Sequence, residues 1–182
     1  MAPADEVDRI VAAWQAERPD LDVAPLHVLS RVSRLARHLD LARGTAFAGH
    51  GLERWEFDVL AALRRSGHPY ELSPGVLVQQ TLVTSGTMTN RVDRLAARGL
   101  VERYPDPDDR RGVIVRLTPE GKATVDGAFG ALVDAERALL DDLPERDRAR
   151  LATLLRTLLT PFARPVDQSV DQPTDQPTDQ PG

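Results

Sequence analysis

The sequence predicts a mainly α fold with a small antiparallel sheet, and three observations carry that prediction. Apolar residues, mostly Leu, Val and Ala, recur at helical spacing along most of the chain, the pattern of helices with one buried stripe. Aromatic residues make up only 4%. Two short extended runs, 100–104 and 112–117, flank a Pro- and Asp-rich turn and supply a hairpin. With 182 residues, 41% hydrophobic and 28% charged, the chain can build one full-sized domain or two very small ones.

The elements follow in order. A first helix is expected over 5–18, where Val7, Ile10, Val11 and Trp14 form one apolar stripe before Pro19 and Asp20 end it. Pro25 suits the first turn of a second helix, where its missing N–H loses nothing. Leu26, Leu29, Val32, Leu35 or Ala36, Leu39 and Ala42 carry that stripe to about Ala46. Beyond Gly49 and Gly51, a third helix is expected over 52–65, with Phe57, Leu60, Ala61 and Leu63 inward, stopped by Gly67 and Pro69. Residues 70–72 are short and extended, enough for one ladder of a small sheet. Ser73 and Pro74 read as an N-cap with Pro at the first helical position, opening a two-turn helix to about Leu82.

Thr84, Ser85 and Gly86 are expected to interrupt the chain before a further helix through Met88, Val92, Leu95 and Ala96 to Arg98. Gly99 falls where a left-handed C-cap is needed. After the two strands, Thr118, Pro119 and Glu120 open a helix expected to reach about Asp142. Pro144 restarts a last helix with Leu151, Leu154, Leu155, Leu158 and Leu159 on one face. From Val166 the chain becomes an acidic four-residue Asp-Gln-Pro repeat. Such composition buries too little apolar surface to offset the entropy of ordering it, so a disordered, solubilising tail is expected.

Several function classes fall away. With no Cys, disulfides, thiolate nucleophiles and Cys-built zinc sites are excluded. The four His (27, 38, 50, 68) lack metal-ligand spacing, so neither a metal nor a cofactor is expected. No nucleophile constellation or phosphate-cradling loop stands out, so an enzyme is not expected. No apolar run approaches the roughly 20 residues of a membrane span. The acidic first residues are unlike a basic-then-apolar signal peptide, and a cytoplasmic location is expected.

The net charge of −5 hides a local asymmetry. Residues 84–116 carry seven Arg against five acids, a local net of +2, which leaves −7 for the rest. Nucleic-acid contact depends on such local patches rather than on the average. Two short helices around a break, followed by a hairpin, make a winged helix-turn-helix, whose second helix places its first residues against base edges in the major groove. Ser85, Thr87, Met88, Thr89, Asn90 and Arg91 occupy those positions, and Arg94 lies one turn on, within reach of a phosphate. Asn and Arg suit bidentate contacts to adenine and guanine. Gly86 weakens a helix, a sacrifice that fits close approach of its backbone to another surface. Arg110 and Arg111 sit at the hairpin tip, where guanidinium groups enter a minor groove, and Asp109 beside them orients an Arg by a charge-assisted pair. The same topology serves as a protein-interaction module without specific DNA binding, and that alternative stays open.

Residues 86–122 resemble the signature of MarR (multiple antibiotic resistance regulator) family proteins. The match runs through the Thr-, Asn- and Arg-rich helix, Gly99-Leu100-Val101-Glu102-Arg103, Asp109-Arg110-Arg111 and Leu117-Thr118-Pro119-Glu120-Gly121. The stretches 56–67 and 72–86 are also similar, and the resemblance covers roughly 21–162. It implies a three-stranded wing sheet and a homodimer intertwined through N- and C-terminal helices. It also implies double-stranded DNA as partner, a pseudo-palindromic operator and, most commonly, repression. The expected division is 1–48 for N-terminal dimerisation helices, 49–118 for the DNA-binding lobe, 119–163 for C-terminal dimerisation helices and 164–182 for the tail. The apolar stripes on the terminal helices independently call for a covering partner, or for each other. Many members take a small aromatic or phenolic ligand between dimer helices and DNA lobes. The candidates for that role are His38, Leu39, His50, Trp55 and Val59, with an indole to stack and His as polar handles.

Overall fold

A computed structural model describes residues 4–107, 109 and 112–162. The chain divides into two units, one ending at Leu139 and the other beginning at Leu140. The expected tail and the wing-tip residues Arg110 and Arg111 lie outside the described residues.

The first unit opens with α1 (Glu6–Glu17), capped by Asp5, whose carboxylate accepts from the N–H groups of Val7 and Asp8. Its stripe is covered within the chain. Val7 and Val11, each 1% exposed, pack on α2 (Ala24–Ala48), and Arg31 ties the two helices together through Asp5 and Asp8. Only Trp14 of that stripe remains half exposed, so α1 does not itself require a second chain to cover it. On α2, by contrast, Val28, Leu29, Val32 and Leu35 stay exposed.

The lobe that follows is α3 (Arg54–Arg65), β1 (Glu71–Leu72), α4 (Pro74–Thr81), α5 (Ser85–Ala97), β2 (Val101–Pro105), β3 (Val113–Leu117) and α6 (Pro119–Leu139). The sheet order is β1-β3-β2, antiparallel throughout, with Glu71 opposite Arg116 and Arg103 opposite Val115. The expected first strand is shortened because Tyr70 adopts φ 64° and folds back on Gly67. One face of each element meets in a single core. Val59, Leu60 and Leu63 of α3, Leu77 of α4, Met88, Val92 and Leu95 of α5, Val115 of β3 and Val125 of α6 are at most 1% exposed. Burying each such side chain contributes about 1.5–3 kcal/mol, so this cluster is what fixes α5 to its scaffold.

The break between α4 and α5 sits earlier than the sequence suggests. Leu82, at φ 57°, terminates α4 in the left-handed region. Thr84 is already the N-cap of α5, its hydroxyl accepting from the Thr87 N–H at 3.3 Å. Ser85 and Gly86 are therefore helical. A capping hydroxyl at 84 outweighs the helix penalty of Gly86, which has nothing within 4 Å of where a Cβ would stand. Gly99 takes φ 70° immediately past the helix end, as its position requires.

The second unit contains α7 (Glu145–Leu159) and a single 3-10 turn, Thr160–Phe162. None of its described residues is buried, and Leu154, Leu158 and Leu159 are at least half exposed.

Candidate nucleic-acid interface

Helix α5 has two opposed faces. Met88, Val92 and Leu95 recur at i, i+4 and i+7 and are 0%, 1% and 0% exposed, a core stripe. The other face carries Ser85, Gly86, Thr87, Thr89, Asn90 and Arg94, all exposed, with Arg91 half buried at its edge. Met88 thus departs from the sequence expectation. It is a core side chain with no surface to offer a base, because it begins the stripe that anchors the helix. The remaining short polar groups leave the first two turns of α5 low in relief, and the N–H groups there carry the positive end of the helix dipole.

The cations on this face are held by α3. The Trp55 indole lies beneath two guanidinium groups, 4.6 Å from that of Arg94 and 5.4 Å from that of Arg91. Glu53, just before α3, accepts from Trp55 Nε1 at 2.8 Å and from Arg94 Nη2 at 3.0 Å. Those two donors, Trp55 first, hold the Glu53 carboxyl below the usual range. Glu53, Trp55, Gly86, Thr87, Asn90, Arg91 and Arg94 together line a shallow concavity of about 560 Å³. Glu56, one turn on, is the single charged side chain buried among the described residues, at 2% exposure. It accepts from the Glu53 backbone N–H at 2.9 Å and from Arg98 Nη1 at 2.6 Å, while Arg98 Nη2 donates to Gly51 O at 2.9 Å. A carboxylate so desolvated needs these donors, and in return it locks the end of α5 to the start of α3.

The sheet is braced similarly. Arg116 donates to Glu71 at 2.8 Å and to the Tyr104 hydroxyl, which itself donates to Glu71. The Tyr104 and Arg116 donors hold the Glu71 carboxyl below its ordinary value, while burial and the Glu71 bond push the Tyr104 phenol up. At the hairpin, Asp109 O accepts from the Gly112 N–H at 2.8 Å, closing the turn. The wing residues Arg110 and Arg111 lie outside the described residues.

The five expected ligand residues do not converge. His38 lines a cleft with Glu6, Ser33, Arg34, Arg37 and Leu41, and Leu39 is half buried beside it in the chain. His50 lies against Gly127 of α6. Trp55 faces α5, and Val59 is fully buried in the core. One helical turn separates Trp55 from Val59, so both belong to the face α3 packs into the lobe. A different concavity between α3 and α6, about 440 Å³, is lined by Phe57, Ala61, Arg64, Arg65, Val125, Asp126, Phe129 and Leu132. Sequence reasoning also missed Glu53, Glu56 and Arg98. The signal that could have found them was Glu-x-x-Glu at a helix start, a spacing that lets the later carboxylate reach back to the first N–H.

Among the described residues, no group of three or more His, Asp or Glu is placed to hold a metal ion. No helix there is long and apolar enough to cross a membrane.

Residues 50–112 match a profile described as the MarR family. The HTH-type transcriptional regulator PecS of Dickeya dadantii is 40% identical over 155 residues, covering 85% of this chain and 93% of PecS. The crystal structure of a mutant MarR from Escherichia coli complexed with operator DNA is 26% identical, with a TM-score of 0.62, covering 86% of this chain and 99% of that one. The Bordetella bronchiseptica BpsR structure, described in terms of regulation of DNA binding by 6-hydroxynicotinic acid, is 30% identical. Its TM-score is 0.54, and the match covers 70% of this chain and 98% of BpsR.

Proposed function

The chain belongs to the MarR family of transcriptional regulators, and from that premise we propose that it acts as a homodimer reading a pseudo-palindromic operator with the outer face of α5 and the β2–β3 wing. One observation carries this reading: α5 buries Met88, Val92 and Leu95 completely while presenting Ser85, Thr87, Thr89, Asn90, Arg91 and Arg94 on the opposite side. A helix so divided is anchored to its lobe and free to enter a groove. Asn90 and Arg91 supply bidentate base contacts, and the hydroxyls and Arg94 supply backbone contacts. Asp109, Arg110 and Arg111 form the wing contact in this scheme. Regulators of this family act by binding rather than by catalysis.

The division of labour follows the order of elements, with 49–118 as DNA-binding lobe and 1–48 and 119–163 as dimerisation segments. The exposed Val28, Leu29, Val32 and Leu35 on α2, and Leu154, Leu158 and Leu159 on α7, support association, since stripes of this kind call for a partner. A dimer seated on an operator occludes the promoter beneath it, so the regulatory sign is repression. The working place of such a protein is the cytoplasm, beside the chromosome. The effector is a small aromatic or phenolic anion, and the α3–α6 concavity, with Phe57 and Phe129 for stacking and Arg65 for charge, suits it better than the scattered His38, Leu39, His50, Trp55 and Val59.

The test is selection of bound sequences from a random duplex pool. Recovery of an inverted repeat with half-sites about one helical turn apart supports the reading. Tight self-association with no enrichment of any sequence favours a protein-interaction module and overturns it.

A further inference from the structure

The cation that α5 offers to a phosphate is already occupied. Arg94 donates to Glu53 at 3.0 Å, and both side chains are more than half exposed, at 53% and 60%. The neighbouring arginines are engaged differently. Arg98 is committed to buried Glu56, and Arg103 of β2 pairs with Asp93 on α5 itself. Arg91 rests on the Trp55 ring, 5.4 Å from its centre. The Arg94–Glu53 pair is therefore the one that stands on the DNA-facing concavity itself, beside Gly86, Thr87 and Asn90.

We propose that Glu53 is an intramolecular competitor of the DNA backbone, holding Arg94 on the Trp55 plate in the free protein and releasing it only when a phosphate takes its place. This rests on the reading of α5 as the DNA-contacting helix. The geometry has two consequences. A phosphate oxygen approaching Arg94 through the concavity meets the Glu53 carboxylate and is repelled until the pair opens. The pair is also weak enough to open, because exposed ion pairs contribute little. Trp55 keeps the guanidinium aligned throughout, since a cation over an indole face retains its position when its anion is exchanged. Backbone contacts carry no sequence information. Glu53 thus lowers affinity for all duplexes alike and restrains a protein whose recognition segment is locally basic from occupying non-cognate DNA.

The experiment compares wild type, Glu53→Gln, Arg94→Ala and the double variant by fluorescence anisotropy. Two probes serve: the duplex recovered from a random pool and a scrambled duplex of equal length, each at two salt concentrations. Gln retains an acceptor for the Trp55 N–H, and thermal melts verify that each variant is folded. Glu53→Gln is expected to tighten both duplexes by about three- to tenfold at both salt concentrations, because Arg94 then reaches the same phosphate without first giving up its carboxylate. In the Arg94→Ala background the same substitution is expected to change affinity less than about twofold. Unchanged or weaker binding by Glu53→Gln overturns the proposal, as does tightening confined to the selected duplex. A gain that persists undiminished without Arg94 assigns the effect to bulk charge and also overturns it. Wild type that binds neither duplex removes the DNA reading itself, a result distinct from wild type that binds and a Glu53→Gln variant that matches it.

Discussion

Gly121, in the first turn of α6, is the position where the structure most sharply limits the sequence. A Cβ built there lies 1.9 Å from the carbonyl oxygen of Leu100 and 2.8 Å from its carbonyl carbon, against the 3.0 Å that real Cβ atoms respect. Both neighbours are backbone, so no rotamer relieves the overlap, and α6 and the segment entering β2 must part by about an ångström. Three hydrogen bonds cross or brace that junction: Thr118 N–H to Leu100 O at 3.2 Å, Thr118 Oγ1 to Gly99 O at 2.7 Å, and Gly121 N–H to Thr118 Oγ1 at 2.9 Å. Losing one or two of them costs about 0.5–1.5 kcal/mol each, and the overpacking around buried Leu100 and Val125 adds about 1–3 kcal/mol. Gly121→Ala is therefore expected to destabilise by about 3 kcal/mol, lowering Tm by roughly 6–12 °C for a chain of this size. Gly130 in the same helix has nothing within 4 Å of a built Cβ, so Gly130→Ala should instead gain up to about 1 kcal/mol. Urea and thermal melts of both variants make the comparison. A Gly121→Ala protein within about 1 kcal/mol of wild type refutes the argument that this close approach fixes the base of the wing.

Other expectations can be checked with the same material. Gly86→Ala should stabilise the free protein by up to about 1 kcal/mol yet, if α5 enters the groove as proposed, weaken duplex binding by adding a methyl to its open face; melts and anisotropy on one sample report both. Arg98→Met strips the 2%-exposed Glu56 carboxylate of its cation. Breaking a fully buried pair costs about 3–5 kcal/mol, and since Arg98 is 42% exposed the loss in urea melts should be nearer to about 2 kcal/mol. Glu71 is held below the ordinary carboxylate value by Tyr104 and Arg116. Its contribution is fully present above the unfolded Glu value of about 4.5 and is lost as pH falls through the lower folded value. The stability difference between wild type and Glu71→Gln should therefore shrink below that pH, and a constant difference down to about pH 3 counts against the bracing role.

Most of the frame is legible from local chemistry. Ser73 with Pro74, the left-handed Gly99 and the inward pair Val92 and Leu95 each follow from a rule that acts within one turn of chain, and the structure shows all three. What is not legible depends on the third dimension. Glycine is a poor helix former, so the sequence points to a break at Gly86, whereas Leu82 in a left-handed conformation makes the turn and Thr84 restarts the helix. Met88 sits among polar groups in sequence and so reads as a surface residue, but the helical period turns it inward. The stripe on α1 calls for a partner, and α2 supplies it within the chain. Trp55 reads as a stacking surface for a ligand, and it does stack, on the arginines of α5. Buried Glu56 gives little warning, since a carboxylate in a charged helix reads as solvated until its Arg98 partner, 42 residues away, is brought alongside.

The claim at the centre is that the outer face of α5 reads base sequence. Sequence selection from a random duplex pool, run in parallel with wild type and Arg91→Ala, tests it most directly. The account predicts that one base pair in each half-site loses its preference, by about 1–3 kcal/mol of discrimination, while the flanking positions and the half-site spacing persist. An Arg91→Ala protein that recovers the wild-type sequence with undiminished preference at every position contradicts it.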